Sequence, residues 1–143
     1  MTRVTVSPEY GGSRELRGFI AGIDRLFPSG ELVQQGSRNT LRRFTVGGKR
    51  VVVKHFGKPN PLNRVVYSFL RKPKGVRAYE YAFRVRGAGF DTPEAVAYIE
   101  RRSCGIIADS YFISAECPYT RRFYEFGDAV AEDFAGIIRA FAR

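Results

Sequence analysis

Hydrophobic residues recur along the chain with two periods, and the two periods predict strands and helices in turn. Short apolar runs with strand-like spacing occupy five segments, 31–36, 41–46, 50–56, 92–102 and 106–116. The third run contains Val51-Val52-Val53, and consecutive β-branched residues favour a strand. Gly47-Gly48 before it is typical of a hairpin turn. Strands joined by such short turns pair antiparallel.

Apolar residues spaced three to four apart predict helices in the remaining segments. The stretches with this spacing are 62–70, 76–86 and 128–143, and a shorter helix is predicted within 16–27. Helices that follow a hairpin, with two more strands after them, indicate the α+β class. One domain is expected, because 143 residues suffice for a single core.

Composition narrows the class of protein further. Hydrophobic residues make up 44% of the chain, which excludes disorder. No apolar run approaches the roughly 18 residues of a membrane span, and the N-terminus lacks the pattern of a signal peptide. The two cysteines, Cys104 and Cys117, have no metal-ligand spacing. These features predict a cytoplasmic protein with reduced thiols.

Charge is distributed unevenly around a net value of +10. Residues 49–86 contain eleven Lys or Arg and one acid, Glu80. Such a basic region suits nucleotide phosphates, nucleic acid or an anionic membrane surface, and it also suits a merely solvated face. The basic segment 58–74 includes the predicted helix 62–70, which either lies on anionic lipid or packs on the sheet through its apolar stripe.

Lys54 and Glu80 are predicted to form an ion pair. Side chains alternate along a strand, so Lys54 shares a face with Val52 and Phe56. Glu80 lies on the apolar side of helix 76–86, where an unpaired carboxylate would be costly. The alternative is that Lys54 extends into water at the sheet edge and Glu80 lies on the rim.

Three runs resemble the lipopolysaccharide kinase family, the Kdo or heptose kinases that are distantly similar to protein kinases. They are Val51–Phe56, Arg77–Glu80 and Phe112–Cys117, and the resemblance extends over residues 32–143. It implies a kinase-like small lobe of about five antiparallel strands with the Glu80 helix packed on them. The implied domains are an N-terminal extension (1–30), the ATP-binding lobe (31–118), and the hinge with the start of a truncated large lobe (119–143).

The resemblance also implies an activity and a binding site. The activity is transfer of the γ-phosphoryl group of ATP to a sugar hydroxyl of lipopolysaccharide, with Mg²⁺. Lys54 would bind the phosphates and Glu80 would orient it. The phosphate-covering loop would comprise Gly36, Ser37, Asn39 and Thr40, although an ordinary hairpin turn also fits them. Glu116 and Cys117 would form the hinge; since Pro118 lacks an N–H, the donor to adenine would be Cys117 or Tyr119.

The sequence contains no catalytic-loop or metal-binding aspartate motif. Within these 143 residues no catalytic residue is therefore expected, and the Mg²⁺ ligands are expected beyond them, so that the fragment binds ATP without transferring phosphate. Further expectations are peripheral attachment to the inner membrane, where the lipid acceptor lies, and self-association through the apolar stripe of residues 128–143. The alternative function is a nucleic-acid-binding or membrane-surface module without catalysis. Nucleic acid is disfavoured because it leaves Lys54 and Glu80 unexplained.

Overall fold

A computed structural model of the chain describes residues 1–57 and 72–119, together with 135, 136 and 139. The strands are β1 (Thr2–Val6), β2 (Glu31–Gln35), β3 (Asn39–Val46), β4 (Lys49–Phe56), β5 (Ala95–Ser103) and β6 (Ile106–Ala115). The helices are α1 (Arg14–Ala21), α2 (Ile23–Leu26) and α3 (Lys74–Gly87), with short 3-10 turns at Pro8–Tyr10 and Phe27–Ser29. All strand pairs are antiparallel, and the sheet order is β1-β5-β6-β4-β3-β2.

The α+β class predicted from the sequence is confirmed, but the sheet has six strands instead of about five. The additional strand is β1, which pairs with β5 at the edge of the sheet. Its sequence, Thr2-Arg3-Val4-Thr5-Val6, is β-branched at four of five positions and favours a strand. Residues 1–30 supply this strand and two helices, which pack on the sheet; their assignment as a separate N-terminal extension stays a prediction.

One face of the sheet, here called the core face, carries the hydrophobic core. Ser13 caps α1 by accepting a hydrogen bond from the Leu16 N–H at 3.1 Å. From that cap five apolar residues follow at helical spacing and are buried: Leu16, Phe19, Ile20, Ile23 and Phe27. They pack on the strand residues that point to the same side, which include Val51, Val53, Ile99, Tyr111 and Ile113.

The opposite face, here called the α3 face, is covered over β5 and β6 by α3. The prediction that the Glu80 helix packs on the sheet is therefore confirmed. The side it buries differs from the predicted one: Gly75 and Ala82 are buried, while Phe83 is 41% exposed. A Cβ at Gly75 would lie 2.7 Å from Cε2 of Tyr98. Close contact thus requires a small residue at Gly75, while the aromatic Tyr81 and Phe83 are exposed.

Two tight hairpins fix the register of neighbouring strands. Gly47 and Gly48 adopt φ values of 56° and 76° between β3 and β4, as predicted for that turn. Cys104 and Gly105 adopt φ values of 51° and 76° between β5 and β6.

Several predictions concern residues outside the described ones. They are the basic helix at 62–70 and, apart from helical residues 135, 136 and 139, the helix at 128–143 with its proposed self-association. The boundary between 31–118 and 119–143 also stays a prediction. Over the described residues, no helix has the length and hydropathy needed to span a membrane.

Candidate functional site

Lys54 lies on a central strand of the sheet and points to the α3 face. It is opposite Leu41 on β3 and Phe112 on β6, and Phe112 is opposite Tyr98 on β5. Because Tyr98 contacts Gly75 at the start of α3, Lys54 and α3 share one face of the sheet. The Lys54 side chain is half-buried, and its Nζ lies 5.3 Å from the centroid of the Phe56 ring. A cation at the end of a half-buried side chain on an apolar strand surface is suited to bind an anion.

Glu80 has a different partner from the one predicted. Both of its carboxylate oxygens accept hydrogen bonds from Nζ of Lys72, at 2.7 and 2.9 Å. Lys54 is not among the ion-pair partners of Glu80 within the described part of the chain. Glu80 is five residues beyond the buried Gly75, which places it roughly 140° around the helix from the sheet-facing side. The expected Lys54–Glu80 pair is therefore not formed in this structure.

The segment between β2 and β3 forms a tight turn. The Gly36 N–H donates to the Asn39 carbonyl at 2.8 Å. Gln35 pairs with Thr40, so that Ser37 and Arg38 are the two turn residues, and both are exposed. The hairpin-turn alternative thus describes the local geometry. Since Asn39 pairs with Phe56, the turn lies at the end of β4 that is close to Lys54 and far from Lys49. The phosphate-covering role of the turn stays a prediction.

The predicted hinge follows β6 at the other end of the sheet. The Glu116 carboxylate lies between two guanidinium groups, with Arg43 Nε and Arg50 Nε each 2.6 Å from one of its oxygens. The backbone N–H of Glu116 donates to the Arg50 carbonyl at 3.0 Å. Because this N–H is already bonded, Cys117 or Tyr119 remains the predicted donor to adenine; both are exposed. The adenine-binding role of this segment stays a prediction.

A buried carboxylate on the α3 face was not predicted from the sequence. Glu100 is 2% exposed, accepts hydrogen bonds from the Tyr98 hydroxyl and from Arg102, and forms an ion pair with Arg102. Burial, followed by the hydrogen bond to Glu100, raises the pKa of Tyr98. The available signal was an acid directly after the apolar run Ala95–Ile99, since a buried acid requires partners.

A cavity of about 320 Å³ lies on the core face between β1 and α1. Val4, Ile20 and Ile99 form its apolar walls, and Arg17, Asp24 and Arg101 are charged residues of its lining. None of the predicted site residues lines it. In the described residues, no group of three or more His, Cys, Asp or Glu is placed to hold a metal ion.

The sheet, the central Lys54 and the helix on the same face define a kinase-like small lobe. A solved structure of WaaP in complex with acyl carrier protein aligns with this chain at a TM-score of 0.50 and 18% identity. The alignment covers 93% of this chain and 46% of the WaaP chain. WaaP is a lipopolysaccharide core heptose kinase. At this identity the match establishes the fold, and on fold it confirms the resemblance predicted from the sequence.

Sequence comparisons add no closer relationship. No protein-family profile matches the chain. No curated protein sequence matches it significantly. The chain spans less than half the length of the WaaP chain.

Proposed function

We propose that this chain is the nucleotide-binding half of a kinase that transfers the γ-phosphoryl group of ATP to a sugar hydroxyl of lipopolysaccharide, Kdo or heptose. The observation that carries the proposal is the position of Lys54. It is a half-buried cation on the central strand of a kinase-like sheet, on the face where α3 packs.

In the proposed complex, Lys54 binds the α- and β-phosphates of ATP. A charge-assisted hydrogen bond gains strength where apolar neighbours reduce solvent access. Leu41 and Phe112, the residues opposite Lys54, provide such neighbours. The exposed turn residues Ser37 and Arg38 offer a hydroxyl group and a second cation at the same end of the sheet.

Adenine would lie at the opposite end, against the segment after β6. The Glu116 carboxylate is neutralised by Arg43 and Arg50, so it presents no net repulsion to the nucleotide. The same ion pairs hold the end of β6 against β4 and β3. These ion pairs therefore fix the position of the chain directly before the exposed residues Cys117 and Tyr119.

Mg²⁺ would enter with ATP and neutralise charge on its phosphates. The described side chains do not cluster to hold a metal. Lys54 would contact the phosphates of the bound nucleotide directly. The proposal for this chain is nucleotide binding.

We place the protein in the cytoplasm, at the inner membrane, because a lipid-linked sugar is presented at a membrane surface. The basic segment 58–74 would attach it to anionic lipid. The alternative of nucleic-acid binding is less favoured, since a kinase-like fold explains Lys54 and α3 together.

Calorimetric titration with Mg·ATP tests the proposal. We expect weak binding and a roughly ten- to hundredfold loss of affinity in Lys54→Met, because one charge-assisted hydrogen bond contributes about 1.5–3 kcal/mol. The matched control is Lys49→Met, which removes the same charge from the exposed end of the same strand. Equal affinities for the two variants would place any bound nucleotide elsewhere on the basic surface.

A further inference from the structure

The cavity between β1 and α1 lies on the core face, on the other side of the sheet from Lys54. On this face α1 packs toward β3, where the Phe19 and Phe44 rings are 5.0 Å apart. The strand β1 is at the opposite side of the sheet from β3, and the helix covers it incompletely. Val4 therefore stays 45% exposed, although Ile99, its partner on β5, is 1% exposed.

The size and the walls of this cavity suit a small organic ligand. Its volume of about 320 Å³ lies at the lower end of the range for small-molecule sites, roughly 300–1,000 Å³. Val4, Ile20 and Ile99 provide apolar walls on both the strand side and the helix side. A ligand of one or two rings would remove these walls and its own apolar surface from water together, which favours binding.

The charged residues of the lining do not balance. Arg101 forms an ion pair with Asp24, whose Oδ1 also accepts a hydrogen bond from the Tyr111 hydroxyl at 2.9 Å. Arg17, in contrast, donates only to the Gly12 carbonyl, at 3.4 Å, and no acid of the described residues forms an ion pair with it. The lining therefore has one more cation than acids, and the guanidinium of Arg17 is the group left for a negative charge.

We propose that this cavity binds a small monoanion with an apolar body, of which an aromatic carboxylate is the simplest example. The ring contacts Val4, Ile20 and Ile99, and the carboxylate accepts hydrogen bonds from the guanidinium of Arg17. A guanidinium suits this role because its fixed N–H donors match the two oxygens of a carboxylate. The site is separate from the face proposed for ATP and does not depend on that proposal.

Titration of the 143-residue chain with naphthoate, and with its uncharged analogue naphthamide, tests the site. Two-dimensional NMR should show saturable shifts of backbone amide signals in β1 and α1. Naphthamide should bind about two- to fivefold more weakly, because it lacks the charge that Arg17 recognises. Arg17→Met should reduce the affinity for naphthoate to that for naphthamide and leave naphthamide binding unchanged. The matched control is Arg3→Met, which removes the same charge from the other face of β1 and should change neither affinity.

A second variant tests the cavity without changing a charge. Val4→Phe keeps a strand-forming residue on β1 and occupies the volume that the ring needs, so we expect a roughly tenfold loss of affinity for naphthoate. Leu32→Phe is the control, because Leu32 is 51% exposed on β2, the edge strand at the other side of the sheet. Equal affinities for naphthoate and naphthamide in the unmodified chain overturn the proposal. Naphthoate binding that Arg17→Met or Val4→Phe leaves unchanged overturns it as well.

Discussion

The core face and the α3 face of the sheet are built by the same strands with different surroundings. On the core face, Val51 and Val53 are 3% and 0% exposed beneath the N-terminal helices. On the α3 face, Val52 and Lys54 of the same strand are half-buried. The core face carries the hydrophobic cluster, with charged Arg101 at its β1 edge, whereas the α3 face combines apolar Leu41 and Phe112 with Lys54, Arg43, Glu116 and the buried Glu100.

This difference separates stability from binding within one strand. Complete burial of apolar side chains provides most of the favourable free energy of folding. Half-buried charges contribute little net stability, yet they are what a charged ligand requires. The alternation of β4 therefore directs Val51 and Val53 to the face that stabilises the fold, and Lys54 to the face proposed to bind ATP.

Val53→Ala should produce the largest effect on stability. The side chain is fully buried, and its loss removes two methyl groups and leaves a cavity, so we expect the free energy of unfolding to fall by about 2 kcal/mol. Urea unfolding followed by circular dichroism measures it. Val52→Ala, an identical change one residue away on the α3 face, should cost less than half as much. Equal losses would contradict the contrast between the two faces.

The sequence predicts much of the fold because its periodicity is strong where burial is one-sided. The strands later found as β2 to β6 and helix α3 are all indicated by it. The strand β1 was missed because five residues between a chain terminus and a turn give little periodicity, although Val4 and Val6 alternate with polar neighbours. The core contributed by Leu16 to Phe27 was predicted only as a short helix.

The site was less predictable, since the ion-pair partner of Glu80 depends on the rotation of α3 about its own axis. Helical periodicity assigned the sheet-facing side to Val76, Tyr79 and Phe83, and with it Glu80. The structure instead buries Gly75 and Ala82, and at Gly75 the Tyr98 ring leaves no room for a side chain. Hydrophobicity alone does not report that steric limit. The contact of Lys72 with Glu80 is a consequence of the same rotation.

A pH-dependent effect of intermediate size is expected where the N-terminal segment meets the start of β5. A hydrogen bond from Glu9, followed by one from the Tyr10 hydroxyl at 2.6 Å, lowers the pKa of Glu94 to about 2. Because this pKa lies below the ordinary value of 4.5, ionised Glu94 contributes stability that is present above about pH 4.5 and is lost as the pH falls toward 2. The same contact raises the pKa of Glu9, which offsets part of that stability where Glu9 ionises as well.

Glu94→Gln should therefore lower stability most above pH 4.5, and its difference from the unmodified chain should narrow toward pH 2. Urea unfolding across this pH range measures the difference. Glu15→Gln is the control, because the Glu15 carboxylate is exposed and bonds Ser13 instead. A difference for Glu94→Gln that does not change with pH would show that the hydrogen bonds to Glu94 do not stabilise its charged form.

Lys54→Met should have the smallest effect on stability, although the same variant is expected to lose ATP affinity. Methionine keeps an unbranched apolar stem against Leu41 and Phe112, and it removes the cost of partly desolvating an ammonium group. The substitution removes the cation–π contact of Nζ with the Phe56 ring, and such contacts contribute about 0.5–1 kcal/mol at exposed sites. These terms oppose each other, so we expect the free energy of unfolding to change by less than about 0.5 kcal/mol. Urea unfolding measures the effect of Lys54→Met on stability, and Mg·ATP titration of the same sample measures its effect on ATP affinity. A loss near that of Val53→Ala would make Lys54 a structural residue and would remove the main support for its role in binding.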